Sequence, residues 1–119
     1  MMNLGKVKEI LKGEVISGSD KLRMDIKMGC GCDLMSDVLA YVKSDSLLLT
    51  GLTNPQSIRT AEMADIKAIC FVRGKEPDKE TVELAKSKNI PLLSTTLPMF
   101  EACGKLYNAG LSGCSEIDE

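Results

Sequence analysis

The sequence predicts a layered α/β/α domain around a mainly parallel central sheet of about four to five strands. Three observations carry this. A short apolar run, a turn and an amphipathic stretch alternate three times between residues 46 and 111: LLLTG before NPQSIRTAEMA, AICFVRG before PDKETVELAKSK, and PLLSTT before LPMFEACGKLYNAG. The apolar runs are unbroken rather than alternating, as in strands buried on both faces. Helix-start residues recur behind them, with Asn54-Pro55 before one stretch and Asp78 before the next.

The elements follow in order. Residues 3–11 form a first helix with Leu4, Val7, Ile10 and Leu11 on one face, and Gly13 ends it near the usual left-handed cap. Residues 14–17 are a short strand closed by Gly18-Ser19-Asp20. Residues 25–32 are a second strand, with Met24, Ile26 and Met28 on one side and Asp25 and Lys27 on the other, and pairing of these two strands is expected. Asp33 caps a helix carrying Leu34, Met35, Val38, Leu39 and Val42. Residues 46–50 are a fully buried strand, followed by a helix whose Ile58, Ala61 and Met63 face the sheet. Residues 67–72 are the next strand, and Asp78 caps a helix with Val82, Leu84 or Ala85 inward. Leu92-Leu93 is the last strand. A final helix starts near residues 96–98, buries Phe100, Cys103, Leu106 and Tyr107, and stops at Asn108-Ala109-Gly110. One domain over residues 1–111 and an acidic, frayed tail over 112–119 are expected.

Composition narrows the function. A chain of 119 residues buries roughly two-thirds of its unfolded surface and needs no metal or disulfide to hold a core. Net charge is −2 and Trp is absent, which argues against nucleic acid, a ligand that wants a basic face or stacking platforms. No apolar run approaches the ~20 residues that cross a bilayer. The opening fourteen residues mix charge throughout, so a cytoplasmic location with reduced cysteines is expected. The chain has no histidine, which excludes Ser-His and Cys-His pairs and His-ligated metals. A non-enzyme without a cofactor is the expectation.

Two segments could carry chemistry. Gly29-Cys30-Gly31-Cys32 places two thiols on one face of an extended segment, a candidate redox or soft-metal pair; the plainer reading is two small hydrophobes in a crowded strand-to-helix turn. The turn from Thr50 to Asn54 lies between a strand's carboxyl end and a helix N-terminus, where open α/β sheets bind ligands. Gly51, Thr53 and Asn54, with Arg59 one turn further on, are the candidate binders of an anionic or nucleotide-like molecule; the plainer reading is a capped helix with a solvated arginine. No dinucleotide fingerprint or GxxxxGK[ST] loop is present. Arg73 to Asp78 reads as a solvated charged turn, and Ser94-Thr95-Thr96 as capping hydroxyls.

The stretches GCGCDLMSDVLAYVKSDSLLLTGLTNP and IKAICFVRGKEPDKETVELAKSKNIPLLSTTLPMFEACGKLYNAGL, with the opening helix, resemble the DRTGG domain over about residues 3 to 111. The PD-x5-LAK-x3-IPLLST segment and the DLMSDVLA helix are the most specific parts; the five-letter signature that names the family does not occur. The resemblance implies a fold like the N-terminal domain of HPr kinase/phosphorylase. It also implies the regulatory or dimerising role such modules have within phosphotransacetylases and beside CBS domains in pyrophosphatases. It offers no catalytic residues. The expectation is therefore a regulatory or scaffolding module acting as a homo-oligomer, in the simplest case a dimer, and on a protein partner. A ligand sensor and a cysteine-based sensor are the alternatives.

Overall fold

The computed structural model describes residues 2–117. Strands β2 (Glu14–Ser17), β4 (Met28–Gly31), β5 (Ser46–Thr50), β6 (Ala68–Phe71), β7 (Leu92–Ser94) and β8 (Ser112–Gly113) form one six-stranded sheet in the order β2-β7-β6-β5-β4-β8. All its neighbours are parallel except β2 and β7. A separate two-stranded ladder pairs β1 (Met2–Asn3) with β3 (Asp25–Ile26). Helices α1 (Leu4–Leu11) and α5 (Met99–Asn108) cover one face; α2 (Met35–Tyr41), α3 (Pro55–Met63) and α4 (Lys79–Ser87) cover the other.

The unbroken apolar strands explain the two cores. Every residue of β5 is buried. Leu47 and Leu49 pack with α1 and α5, while Leu48 packs with α2 and α3. Ala68 and Cys70 of β6 join the first core, and Ile69 and Phe71 the second. A period of two thus divides one run of hydrophobes between two layers.

The repeated cadence ends each time on the same helix cap. Asp65, Asn89 and Gly110 take positive φ after α3, α4 and α5. Behind them the N–H groups of Ile66, Ile90 and Leu111 donate to the carbonyls of Ala61, Ala85 and Leu106 at 2.9–3.0 Å. Each of these capping residues is a buried hydrophobe, the arrangement of a Schellman motif with its apolar contact. Helix α1 ends likewise, but Lys12 takes the left-handed conformation (φ 50°) in place of Gly13. Gly13 is needed for close approach instead: a Cβ there would lie 2.6 Å from the Ser94 carbonyl oxygen. At the other end, Asn3 accepts from Lys6 N–H as the N-cap of α1. The Thr95 hydroxyl donates to the Leu11 carbonyl at 2.8 Å, so this hydroxyl does close a helix end.

Several expectations are corrected. The sheet has six strands rather than four to five. The 25–32 segment is two strands, and neither pairs with β2: β3 joins β1, while β4 lies between β5 and β8. Helix α2 has Leu34 as its N-cap, because the Asp33 carboxylate is turned toward β5. Met63 faces solvent, and so do Leu34, Leu39, Phe100 and Tyr107. Helix α5 turns Ala102 and Leu106 inward with Cys103 half-buried beside them, so Leu106 and Cys103 pack as expected while Phe100 and Tyr107 do not. The sheet runs on past residue 111: Ser112 and Gly113 stand opposite Met28 and Gly29, and Cys114–Ile117 makes a 3-10 turn. Residues 118 and 119 of the expected tail lie outside the described residues.

Candidate functional site

Two regions gather the residues singled out from the sequence. The first is the carboxyl edge of the parallel strands. Asp33, two residues past the end of β4, reaches across to the end of β5. Its Oδ1 accepts from the Thr50 hydroxyl at 2.9 Å and from the Gly51 N–H at 2.7 Å. Thr50 Oγ1 in turn accepts from the Leu52 N–H at 3.2 Å. The Arg73 guanidinium lies on the other side: a Cβ on Gly51 would sit 3.3 Å from its Nη2. Arg73 has a left-handed backbone (φ 60°), held by its N–H on the Leu97 carbonyl and by the Gly74 N–H on the Thr95 carbonyl, both at 2.8 Å.

This edge changes the reading of the candidate ligand turn. Gly51 is buried and its amide is already taken by a carboxylate, which repels an anion at that spot. Thr53 is half-buried and Asn54 exposed at the start of α3, where Asn54 makes no side-chain capping bond. Arg59 is exposed on α3. Asp33 and Arg73 are therefore the charged pair that frames Gly51. No motif in the sequence marks either, since both are set there by strand-end turns from different units.

The second region surrounds β4. Cys30 and Cys32 line one groove of about 410 Å³ with Asp37, Tyr41, Val42, Lys43, Cys114 and Ser115. Cys32 exchanges 3.4 Å bonds with the Leu34 backbone, accepting from its N–H and donating to its carbonyl. Cys103 packs on the opposite face: a Cβ on Gly31 would lie 2.5 Å from its Sγ. Burial, then the thiols of Cys114, Cys32 and Cys103, push the Cys30 thiol up to about 12. Burial likewise raises Cys103, and burial followed by Cys103 pushes Cys70 up to about 12. Cys30 is thus a protonated thiol near neutral pH. Among the described residues no three His, Cys, Asp or Glu side chains are placed to hold one metal ion.

On the α5 side of β4 a second groove, about 310 Å³, is lined by Gly29, Gly31, Leu49, Phe100, Gly104 and Tyr107, among others. Phe100 is 85% and Tyr107 59% exposed; on α2, Tyr41 is 74% and Leu34 57% exposed. Of the six exposed large apolar side chains among the described residues, five belong to α2, its cap and α5. The sequence hid this patch, because the same spacing serves a buried face.

Comparison with known proteins gives a consistent picture. The family model described as the DRTGG domain matches residues 6–109. No curated protein matches the chain. Among solved structures, the chain is similar to the CBS and DRTGG domains of the regulatory region of Clostridium perfringens pyrophosphatase, crystallised with its activator diadenosine tetraphosphate. The TM-score is 0.73 at 17% identity, and the match covers 88% of this chain and 46% of that one. Among the described residues no helix is long and apolar enough to cross a membrane.

Proposed function

Because the chain belongs to the DRTGG domain family, we propose that it is a non-catalytic regulatory module that works by self-association and by contact with a protein partner. One observation carries this reading: the exposed apolar side chains concentrate on the two helices flanking β4, the strand whose outer ladder to β8 ends at Gly29. Exposed apolar side chains grouped on one helix, such as Phe100 and Tyr107 on α5, mark interaction sites. Gly104 supports it further. A Cβ at this mid-helix position would meet nothing within 4 Å, so the chain's own packing does not require glycine. Glycine there costs roughly 0.5–1 kcal/mol of helix stability, a cost that fits close approach by another molecule.

A second copy of the chain is the occupant that charge favours. Glu101 and Lys105 are exposed one turn apart on α5. Two antiparallel α5 helices would set each glutamate beside the lysine of the other copy, the self-complementarity that a two-fold contact needs. Light scattering at micromolar concentration is expected to give the mass of a dimer. A monomer across that range would contradict the reading.

A second reading is favoured by one finding, the nucleotide activator bound by the similar pyrophosphatase region. Here the module would sense a nucleotide or phosphorylated metabolite near Arg73, Thr53 and Asn54, beyond the carboxylate-blocked Gly51 amide. A ligand at 100 times its dissociation constant adds about 2.7 kcal/mol to stability. Thermal unfolding with diadenosine tetraphosphate, mononucleotides and phosphorylated metabolites should then show an upward shift, lost in Arg73→Ala. No shift with any of them would remove this reading.

A further inference from the structure

We propose that Cys30 and Cys114 form a reversible disulfide that staples the C-terminal strand and turn to β4. The register makes the case. Strand β8 runs parallel to β4 with Ser112 opposite Met28 and Gly113 opposite Gly29; each cysteine follows that last pair, Cys30 on β4 and Cys114 where the chain turns into the 3-10 segment. The Gly29–Gly113 pair beside them has the ~4.8 Å spacing of parallel neighbours, and a disulfide spans ~4.4–6.8 Å between Cα atoms. Side-chain direction agrees. Cys114 Sγ lies 3.7 Å from Ser46 Oγ and 3.9 Å from the Gly29 carbonyl oxygen. Ser46 and Leu48 share a face of β5, and they stand opposite Met28 and Cys30, so Cys114 is on the face Cys30 uses. Both thiols line the same open groove.

Cys32 is the obvious rival, and geometry disfavours it as the partner of Cys30. Two residues apart on one strand face, their Cβ atoms are separated by ~6.6 Å, against the ~3.5–4.5 Å of a disulfide. Cys30 and Cys114 instead each follow the Gly29–Gly113 pair and line one groove.

The chemistry balances with a peroxide as the oxidant. The Cys114 thiolate attacks the peroxide oxygen, the O–O bond breaks, and a sulfenic acid forms with release of an alcohol or water. The Cys30 sulfur then displaces the hydroxyl, forming the S–S bond and releasing water. Two thiols and one peroxide give one disulfide, one water and one alcohol (a second water where the oxidant is hydrogen peroxide), and both electrons come from the sulfurs. The open groove leaves the bridge within reach of a dithiol that reverses it. The bridge does not depend on self-association.

The test treats the full chain with stoichiometric hydrogen peroxide, blocks free thiols under denaturing conditions, and measures intact mass and a peptide map. The expected result is loss of two hydrogens, a Cys30–Cys114 cross-linked peptide, and reversal by dithiothreitol. Cys30→Ser and Cys114→Ser should each abolish the mass loss, and Cys32→Ser should retain it. The map of the unmutated chain decides the matter even if a variant folds poorly. A bridge through Cys32 or Cys103, a bridge between two chains, oxygen addition without loss of hydrogen, or no reaction would each overturn the proposal.

Discussion

Alanine in place of Phe71 should lower folding stability by about 3–5 kcal/mol, seen as a lower denaturant midpoint with an unchanged slope. Phe71 is fully buried on the central strand β6 and is the largest such side chain. It sits among Leu48, Ile58, Ile69, Ala85 and Leu92 in the core under α2, α3 and α4. Backbone pairing on both sides, with Thr50 in β5 and Ser94 in β7, leaves little freedom to collapse onto the space left behind. Alanine at Phe100 provides the contrast. That ring is almost wholly exposed, so its removal should change monomer stability by less than about 0.5 kcal/mol. A loss at Phe100 comparable with that at Phe71 would mean that α5 packs differently from the arrangement described above.

Gly18→Ala is expected to cost about 2–4 kcal/mol, the sum of two independent penalties. The residue has φ 84°, a conformation that side chains rarely adopt. It also stands beside Pro91 at the end of the β2–β7 ladder, and a Cβ would lie 2.6 Å from Pro91 Cβ and 2.8 Å from its Cα. The obstacle is a ring and a backbone atom, so no side-chain rotation relieves it. Gly104→Ala is the internal control, because neither penalty applies there. It should strengthen the isolated fold by roughly 0.5–1 kcal/mol while weakening association. Thermal unfolding of the two variants side by side separates strained glycine from glycine that is merely small. Equal effects at the two positions would contradict this account.

The parts of the fold that the sequence discloses are those governed by local rules. Residues 46–50 and 68–71 are legible as buried strands because nothing polar interrupts them, and Asp78 is legible as a cap because its carboxylate accepts the Thr81 N–H three residues on. What stays hidden depends on long-range geometry. Asp33 looks like a cap, yet it reaches seventeen residues along the chain to the Thr50 hydroxyl, a partner only the sheet order supplies. The left-handed caps at Asp65 and Asn89 pass unnoticed because glycine is the usual signal there. Strand β8 is two residues long and is made by tertiary pairing alone. Helix α5 misleads for a different reason: both of its stripes are apolar, and periodicity does not say which one the sheet covers. Of the proposed sites, the Cys30-Gly31-Cys32 motif stands out from sequence, whereas Cys114 comes into register only through β8, and Arg73 approaches Gly51 only through the strand-end turns.

The exposed apolar side chains of the helices flanking β4 are the centre of this account, and their most direct test is the sedimentation-equilibrium mass of the unmutated chain beside that of Phe100→Glu. The exposed position of Phe100 means that the substitution should leave unfolding unchanged. A dimer for the unmutated chain and a folded monomer for the variant is the predicted result. Identical masses for the two, whether monomer or dimer, would show that this surface is not where the module meets its own copy.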